Sequence, residues 1–331
     1  MRAFGSWRNT RRALLVGARP MKDFIVYHVH GHNGFYRQAR FSILSLIDLL
    51  QKAGRDDIQI LVYADRPEEF AHYPFVQSIF MSGEQTRSWS GPFRYVHRIK
   101  LEALNHAVES FGLPLLYVDG DTRWLRLPDE PMDTLATARN RGDAQVFYMH
   151  AREGAMTPAV HAEYYRELFA QRSLLGTHGV GDPSRWVMWN AGALGIPVGQ
   201  EAFFREALGL LDDLMKTTKA TTYIEQAMMS ALISSRFEVR DLGDYIYHYW
   251  DTSKEVQAIL LRFFAPLASS DYERELQAYH GFGWDDEDIA AIRRGVRHRA
   301  RLVAGKFRRS VLKRWAKVLA QAKRGTLPGE G

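Results

Sequence analysis

The most informative eight residues of this sequence read Leu115-Leu116-Tyr117-Val118-Asp119-Gly120-Asp121-Thr122. The four apolar residues predict a short buried strand, and two aspartates follow it at once. Gly120 lacks the side chain that would crowd a sharp turn, so both carboxylates can reach one divalent cation. Carboxylate oxygens suit Mg²⁺ or Mn²⁺, and the remaining metal positions suit diphosphate oxygens. These residues therefore indicate a metal–diphosphate site at the end of a strand.

A second acidic run, Asp286-Glu287-Asp288, shows that the spacing alone is weak evidence. A chain of this length should contain roughly one Asp-x-Asp by chance. The second run follows a loop that contains Gly and Trp, whereas ligands of α/β sheets bind outside the carboxyl ends of strands. This context favours Asp119 and Asp121 as the metal ligands. The alternative for that pair is a surface turn in which Asp bonds its own backbone.

Strand and helix patterns alternate on both sides of the acidic motif, which predicts an α/β fold with a mostly parallel sheet covered by helices on both faces. Gly31–Gly34, after the first of these strands, predicts a turn. Short apolar runs predict strands at Phe24–Tyr27, Ile58–Tyr63, Val76–Met81, Gln145–Met149 and Ala193–Ile196. Helical spacing of apolar residues predicts helices over Ile43–Leu50, ending near Gly54, and at Phe93–Phe111, His161–Gln171, Glu201–Met215 and Ile224–Ser234.

Four segments resemble, in the same order, glycosyltransferases with the GT-A fold. The acidic motif looks like their Asp-x-Asp segment, and Asn190-Ala191-Gly192-Ala193-Leu194-Gly195-Ile196 resembles their later Asn-x-Gly strand. Glu225-Gln226 resembles the acidic–Gln pair of the retaining family that includes glycogenin and bacterial lipopolysaccharide galactosyltransferases. His248-Tyr249-Trp250-Asp251-Thr252-Ser253-Lys254 is similar to that family's metal-binding His with a phosphate-binding Lys six residues on.

The resemblance implies a GT-A fold and sugar transfer, with retention of configuration, from a nucleotide-diphosphate sugar, a UDP-sugar being the expected donor. It also implies Mn²⁺ or Mg²⁺ held by Asp119, Asp121 and His248, with Lys254 on the donor diphosphate. The acceptor is expected to be a glycan or a lipid-linked saccharide. Read from the residues alone, His248 could equally be a hydrogen-bonded core histidine, and Lys254 a solvated surface lysine.

Lys100 is informative because it falls within the apolar arc of the helix predicted at Phe93–Phe111. A cation there must be paired or reach an edge. Pairing with Asp119 or a donor phosphate would explain it, and snorkelling to solvent is the alternative. Arg98 falls on the opposite face of a regular helix. The resembling family often carries a cation near this point, so Arg98 is a second candidate for binding the donor.

Three residues of the resembling segments carry side chains suited to the sugar. Asn190 and Gln226 offer amides for sugar hydroxyls, and each could instead cap buried backbone. Glu225 could assist at the sugar, although a Glu near the start of a helix is also an ordinary structural feature.

The segment after the first predicted strand offers further candidates. Asn33 and Tyr36 are candidates for contacting the nucleotide, although Gly31–Gly34 could equally be a plain turn. His28 and His30 alternate along the strand and should face one side, either in the core or in a site.

Basic residues concentrate at the carboxyl end of the chain. Of 331 residues, 44 are Lys or Arg and 38 are Asp or Glu, giving a net charge of +6. Thirteen cations and no acid lie between residues 291 and 325, which leaves −7 for the rest. We expect a flexible basic leader over residues 1–20, a catalytic domain over 21–288 and a basic amphipathic helical tail over 289–331. Such a tail favours contact with an anionic membrane, and the alternative is a helix that packs on the acidic body of the protein.

Composition narrows the remaining possibilities. Cysteine is absent, which excludes disulfides and thiolate metal sites, and no apolar run is long enough to span a bilayer. These features favour a cytoplasmic protein that lies on the inner membrane face. Three rival functions stay open: a sugar nucleotidyltransferase on a related fold, a nucleic-acid-binding protein acting through its tail, and a silent carbohydrate-binding relative. The first would need a Gly-rich basic loop after the first strand, and the second would need strong salt dependence without sugar-nucleotide binding.

Overall fold

In the computed structural model, residues 23–137, 145–155, 162–181, 186–218, 223–267 and 271–295 are described. The strands are β1 Asp23–Val29, β2 Ile58–Ala64, β3 Val76–Phe80, β4 Leu115–Val118, β5 Thr122–Trp124, β6 Val146–Ala155, β7 Val187–Ile196, β8 Glu238–Asp241 and β9 Ile246–His248. The α-helices are α1 Asn33–Ala53, α2 Gly83–Trp89, α3 Val96–Phe111, α4 Asp129–Thr137, α5 Ala162–Ala170, α6 Arg172–Thr177, α7 Glu201–Thr217, α8 Ile224–Arg236, α9 Ser253–Phe264, α10 Tyr272–His280 and α11 Asp286–Arg294.

Seven strands form one sheet in the order β3-β2-β1-β4-β7-β6-β8, and β5 pairs with β9 in a separate ribbon. β1 runs parallel to β2 and β4, β3 is parallel to β2, and β8 is parallel to β6. Only β7 runs antiparallel to its two neighbours. The sheet is therefore mixed and mostly parallel, as the sequence predicts. Because β2 lies on one side of β1 and β4 on the other, the β1–β4 boundary is the point where ligands bind in such sheets.

Helices cover both faces of the sheet. One core cluster packs α3, α7 and α8 against one face, and the other packs α1, α9, α10 and α11 against the opposite face. α1 ends at Gly54, whose φ of 62° is the left-handed conformation that glycine adopts without cost. The predicted α/β fold class is confirmed.

The structure also differs from the sequence prediction in detail. α1 already begins at Asn33, so Asn33 and Gly34 are helical rather than part of a turn, because the His32 imidazole caps the helix by accepting from the Gly34 N–H. β6 and β7 each have ten residues, several more than predicted. The second acidic run opens α11, where Asp285 and Asp288 form a reciprocal capping box.

The boundary predicted between domain and tail, after residue 288, falls inside α11, and Ile289 is buried in the core. The basic leader and residues 296–331 of the basic tail lie outside the described residues. Within the described part of the chain, no helix has the length and apolarity needed to cross a membrane.

Candidate active site

A cavity of about 200 Å³ opens at the carboxyl ends of β1 and β4, the position that the strand order marks for a ligand. Lys100 of α3 and the Asp119–Asp121 motif line it from one side. The other lining residues come from the end of β1 and the residue after it, from the start of α1, from α3 and from β4: His28, Val29, His30, Phe35, Gln38, Val96, His97 and Tyr117.

Asp119, Asp121 and His248 converge beside this cavity. One ligand atom from each of the three lies within 4.8 Å of the others, a grouping able to hold a metal ion. The β5–β9 ribbon brings them together, because Thr122 pairs directly with His248 although the two are far apart in sequence. Burial acts to raise the pKa of Asp121, but the hydrogen bond and charge of His248 outweigh it and lower the pKa below its ordinary value. Asp121 is therefore ionised at neutral pH.

The orientation of the His248 ring is set by Asn190 and Gly192 of β7. His248 Nδ1 lies 2.9 Å from Asn190 Oδ1, which also accepts from the Gly192 N–H at 2.8 Å. An amide oxygen only accepts, so this contact requires the proton on Nδ1. His248 Nε2 faces Asp121 Oδ1 at 3.2 Å, within hydrogen-bond distance. Because Nδ1 is engaged by Asn190, Nε2 is the ring nitrogen that, in a neutral imidazole, could join the two carboxylates around a divalent cation.

Lys100 is buried, with 6% of its surface exposed, and it points into the acidic cluster. Its ammonium donates to the Ala191 carbonyl at 2.6 Å and lies 3.8 Å from both Asp119 Oδ2 and Glu225 Oε1. Burial lowers the pKa of Lys100, but the surrounding carboxylates outweigh it and the net direction is upward. The hydroxyl of Tyr117 holds the other oxygen of Asp119 at 2.5 Å. Lys100 is therefore paired rather than snorkelling, and it balances charge at the site.

Asn190 and Gln226 meet at the carboxylate of Glu153 on β6. Asn190 Nδ2 donates to Glu153 Oε1 at 2.9 Å, and Gln226 Nε2 donates to Glu153 Oε2 at 3.2 Å. Gln226 Oε1 also accepts from the Ala191 N–H at 3.4 Å. The resembling segments around Asn190, Glu225 and Gln226 thus come together next to the acidic motif, as the sequence predicts for residues of one site.

Arg98 and Lys254 are placed differently from the other predicted donor-binding residues. Arg98 binds both oxygens of Asp212 on α7, at 2.8 and 2.9 Å, and Glu102 at 2.6 Å. It therefore braces α3 against α7 and does not line the cavity. Lys254 is exposed in the first turn of α9 and makes no ion pair with the described residues. The neighbouring Ser253 hydroxyl accepts from Gln38, which lines the cavity, so α9 itself does begin at the site.

Asn33 and Tyr36 lie in the first turns of α1 and form a small cluster with the loop after β2. Asn33 Oδ1 accepts from Arg66 at 2.8 Å, and the Tyr36 hydroxyl donates to Asp65. The guanidinium of Arg66 covers the Tyr36 ring at 3.8 Å from its centre. Tyr36 is buried, whereas Phe35 is half exposed and lines the cavity. Phe35 is therefore better placed than Tyr36 to contact a flat ring in the cavity.

Several lining residues were not predicted as site residues. The alternation in β1 does put His28 and His30 on one face, and their ring nitrogens lie 3.1 Å apart at the cavity wall. Gln38 reaches Ser253 at 2.8 Å, and Glu153 reaches the two amides. No local sequence signal marks Gln38 or Glu153, because their partners come from distant parts of the chain.

Comparison with known proteins gives a likeness in fold. No protein-family model matches the sequence, and no curated protein is similar to it at the sequence level. The galactosyltransferase LgtC, solved with donor and acceptor sugar analogues, aligns over 81% of this chain and 99% of its own at 13% identity, with a TM-score of 0.46.

Two further solved structures are also glycosyltransferases. GlyE of Streptococcus pneumoniae aligns over 79% of this chain and 64% of its own, at 12% identity and a TM-score of 0.44. Mouse xyloside xylosyltransferase 1 aligns over 67% and 86%, at 13% identity and a TM-score of 0.43. These likenesses are distant and concern the fold alone. The solved structures that this α/β chain resembles in fold include those of a galactosyltransferase and a xylosyltransferase.

Proposed function

We propose that this protein is a glycosyltransferase that takes a sugar from a nucleotide-diphosphate donor, a UDP-sugar being the expected one. The carrying observation is the convergence of Asp119, Asp121 and His248 within 4.8 Å, beside a cavity at the β1–β4 boundary. Two carboxylates and one imidazole leave coordination positions for diphosphate oxygens. The distribution of charge supports this, because Lys100 offsets the acids without filling the cavity.

Asp119, Asp121 and His248 would hold Mn²⁺ or Mg²⁺. Such an ion neutralises the charge that develops on a leaving diphosphate. Lys100 fixes the Asp119 carboxylate through their 3.8 Å contact. Lys254, exposed in the first turn of α9, would add a cation for the diphosphate, and the amino end of that helix favours an anion. Arg98 is engaged by Asp212 and Glu102, and we assign it a structural role.

The sugar would lie towards β7 and α8, where Asn190, Glu225 and Gln226 are gathered. Each amide of Asn190 and Gln226 retains a second N–H beyond the one given to Glu153, so both can still donate to sugar hydroxyls. We propose retention of configuration, because no carboxylate of the cluster stands free as a base for the acceptor. Glu225 is buried next to Lys100, and Glu153 is occupied by two amides. The acceptor proposed is a glycan or a lipid-linked saccharide.

The direct test is donor binding that depends on metal. UDP-sugars with Mn²⁺ should raise the melting temperature of the wild-type protein, since a ligand of the folded state stabilises it. Asp121→Ala should abolish that rise while the protein remains folded. Asp286→Ala is the matched control, because Asp286 belongs to the other acidic run and lies in the first turn of α11. If the two variants respond alike, the metal assignment is wrong.

A further inference from the structure

Glu153 joins two amides of the site through one carboxylate. Its Oε1 accepts from Asn190 Nδ2 at 2.9 Å, and its Oε2 accepts from Gln226 Nε2 at 3.2 Å. The two amides come from different elements, β7 and α8, and Glu153 comes from a third, β6. A carboxylate accepts on both oxygens and donates on neither, so it fixes the direction of both amides.

The direction of the Asn190 amide determines what His248 can do. With Nδ2 held by Glu153, Asn190 Oδ1 faces His248 Nδ1 at 2.9 Å and the Gly192 N–H at 2.8 Å. An oxygen there requires a proton on Nδ1, so Nε2 is the ring nitrogen that a neutral imidazole can offer to a metal ion. A turned amide would present its NH₂ to Nδ1, place the ring proton on Nε2, and direct an N–H at Asp121.

We infer that Glu153 is a positioning residue, which orients the Asn190 and Gln226 amides and, through Asn190, keeps the proton of His248 on Nδ1. The inference rests on the proposed function only in taking Nε2 as a metal ligand. The direction of each hydrogen bond, between Glu153 and the two amides and between Asn190 and His248, is a property of the network itself. This network links the proposed metal ligands to the residues proposed to bind the sugar. Outer partners of this kind typically change metal affinity about 10–100-fold when removed.

A double-mutant cycle at positions 153 and 190 tests the direction of the hydrogen bond between these two side chains. Asn190→Asp places two carboxylates face to face, so one must take a proton or move away. Glu153→Gln replaces one carboxylate oxygen with an NH₂ group, which then faces the NH₂ group of either Asn190 or Gln226 and cannot accept from it. In the double variant the bonds to both amide positions are restored: the Gln at 153 donates to the Asp at 190 and accepts from Gln226, and the Asp still accepts from His248. The two changes should therefore compensate rather than add.

The measurements are the Mn²⁺ dissociation constant, the melting temperature and the ¹⁵N shifts of the His248 ring in the metal-free protein above pH 8. Asn190→Asp should weaken Mn²⁺ binding about 10–100-fold. Adding Glu153→Gln should restore affinity to within a few-fold of wild type and raise the melting temperature above that of Asn190→Asp. The ring should carry its proton on Nδ1 in the wild type and in the double variant.

Glu130→Gln is the matched control for the lost charge. Glu130 also accepts hydrogen bonds on both carboxylate oxygens, from the hydroxyls of Tyr148, Tyr245 and Thr134, but it does not contact Asn190. Combined with Asn190→Asp it should restore nothing. The inference is overturned if Glu153→Gln fails to improve Asn190→Asp, or if Glu130→Gln improves it equally. A wild type that binds no Mn²⁺ would instead refute the proposed function, and the melting and ¹⁵N readouts would still decide the role of Glu153.

Discussion

At the scale of single residues, the closest packing in the site is between Gly192 and the ring of His248. A Cβ at position 192 would lie 2.2 Å from both His248 Cε1 and Nδ1. No side chain fits in that space, so β7 can pass under the imidazole only with glycine at this position. The same glycine donates its N–H to Asn190 and accepts from the Asp119 N–H at 2.7 Å.

Gly192→Ala should therefore damage the metal site. The ring or the strand must shift, and overpacking of this kind costs about 1–3 kcal/mol. We expect Mn²⁺ affinity to fall at least about tenfold, as when an outer partner of a metal ligand is lost. Gly209→Ala is the control, because nothing lies within 4 Å of a Cβ there and alanine suits the interior of α7. Mn²⁺ titration of both variants measures the effect. An unchanged Mn²⁺ affinity in Gly192→Ala would contradict the proposed geometry.

The buried His28 in the cavity wall makes the free energy of unfolding depend on pH. Burial, followed by the charges of His30, Lys100 and His97, lowers the pKa of His28 to about 3. A pKa below the ordinary value of about 6.5 means that the unfolded chain binds the proton first as pH falls. The contribution of neutral His28 to stability is therefore fully present above pH 6.5 and decreases as the pH falls from 6.5 towards 3.

Between pH 7.5 and pH 5 the wild type should lose about 1–2 kcal/mol through this group. His28→Gln should remove that part of the loss, which urea unfolding of both proteins at the two pH values will show. His280→Gln serves as the control, since His280 is half exposed at the end of α10. Equal pH dependence in His28→Gln and the wild type would rule out the assignment.

The sequence predicts individual site residues where their signal is local. Asp119 and Asp121 follow an apolar strand, and the aromatic run around His248 carries its Lys six residues on. Lys100 stands out because a cation interrupts an apolar stripe. Glu153 carries no such signal, because its role depends on two amides supplied by β7 and α8. Spacing alone likewise does not show that Arg98 binds Asp212.

At the scale of elements, α10 is attached to α1 by a buried ion pair. Arg40 of α1 binds Glu275 of α10, and the Tyr73 hydroxyl donates to the same carboxylate. The side chain of Glu275 has no exposed surface and that of Arg40 has 8%. Burial raises the pKa of Glu275 more than Arg40 lowers it. The pair therefore specifies how these two helices dock, at a high desolvation cost.

Removing one partner of this pair should cost more than removing both. Glu275→Ala should destabilise the protein by about 3–5 kcal/mol, because it leaves the buried Arg40 charge with only its 3.4 Å ionic contact to Glu69 among the described residues. Arg40→Met with Glu275→Leu should be considerably less harmful, since no buried charge remains. Arg274→Ala, at an exposed neighbouring position, is the control. Chemical denaturation measures all three, and a double variant worse than Glu275→Ala would contradict this account.

Strands and helices whose apolar residues follow one regular spacing were predictable from the sequence. Strand and helix ends that depend on tertiary contacts were not. The apolar run of β4 and the helical stripe of α3 are found where the sequence places them. The start of α1 was missed because the cap is His32, an unusual capping residue. β6 extends beyond its apolar residues because pairing with β7, across two irregularities in register, holds residues that lack a strand pattern.

At the scale of the whole molecule, charge is divided between an acidic body and a basic end. α11 belongs to the body, because Ile289 is buried and Arg293 bonds Glu255 of α9 at 3.3 Å. Residues 296–331 carry eleven of the thirteen cations, with apolar residues recurring from Val296 through Val303 and Phe307 to Trp315. This spacing is typical of a helix that lies on an anionic surface.

Truncation after Gly295 should therefore abolish binding to vesicles that contain anionic lipid. Each Lys or Arg near such a surface contributes about 1 kcal/mol, so the loss should be large and should shrink with added salt. Donor hydrolysis in solution should be retained, because the described site lies wholly within residues 23–295. Vesicle sedimentation with neutral lipid is the control. Equal binding with and without the tail would exclude this proposal.

The fold class was predictable because alternating strands and helices admit few arrangements. The antiparallel insertion of β7 beside β4 was not, since the chain offers no local signal for strand direction. That pairing matters for the site, because it lays Asn190 and Gly192 next to the acidic motif.

The β5–β9 ribbon also fixes when the site can exist during synthesis. Thr122 pairs with His248, so the ligands Asp119 and Asp121 leave the ribosome long before their third partner. Contacts between residues so far apart in sequence form late, because the chain loses conformational entropy when a long loop closes, before the contact contributes any stabilising free energy. The nascent amino-terminal half therefore presents the two carboxylates without the imidazole. Under the proposed function, metal binding by all three residues would have to follow the pairing of β5 with β9.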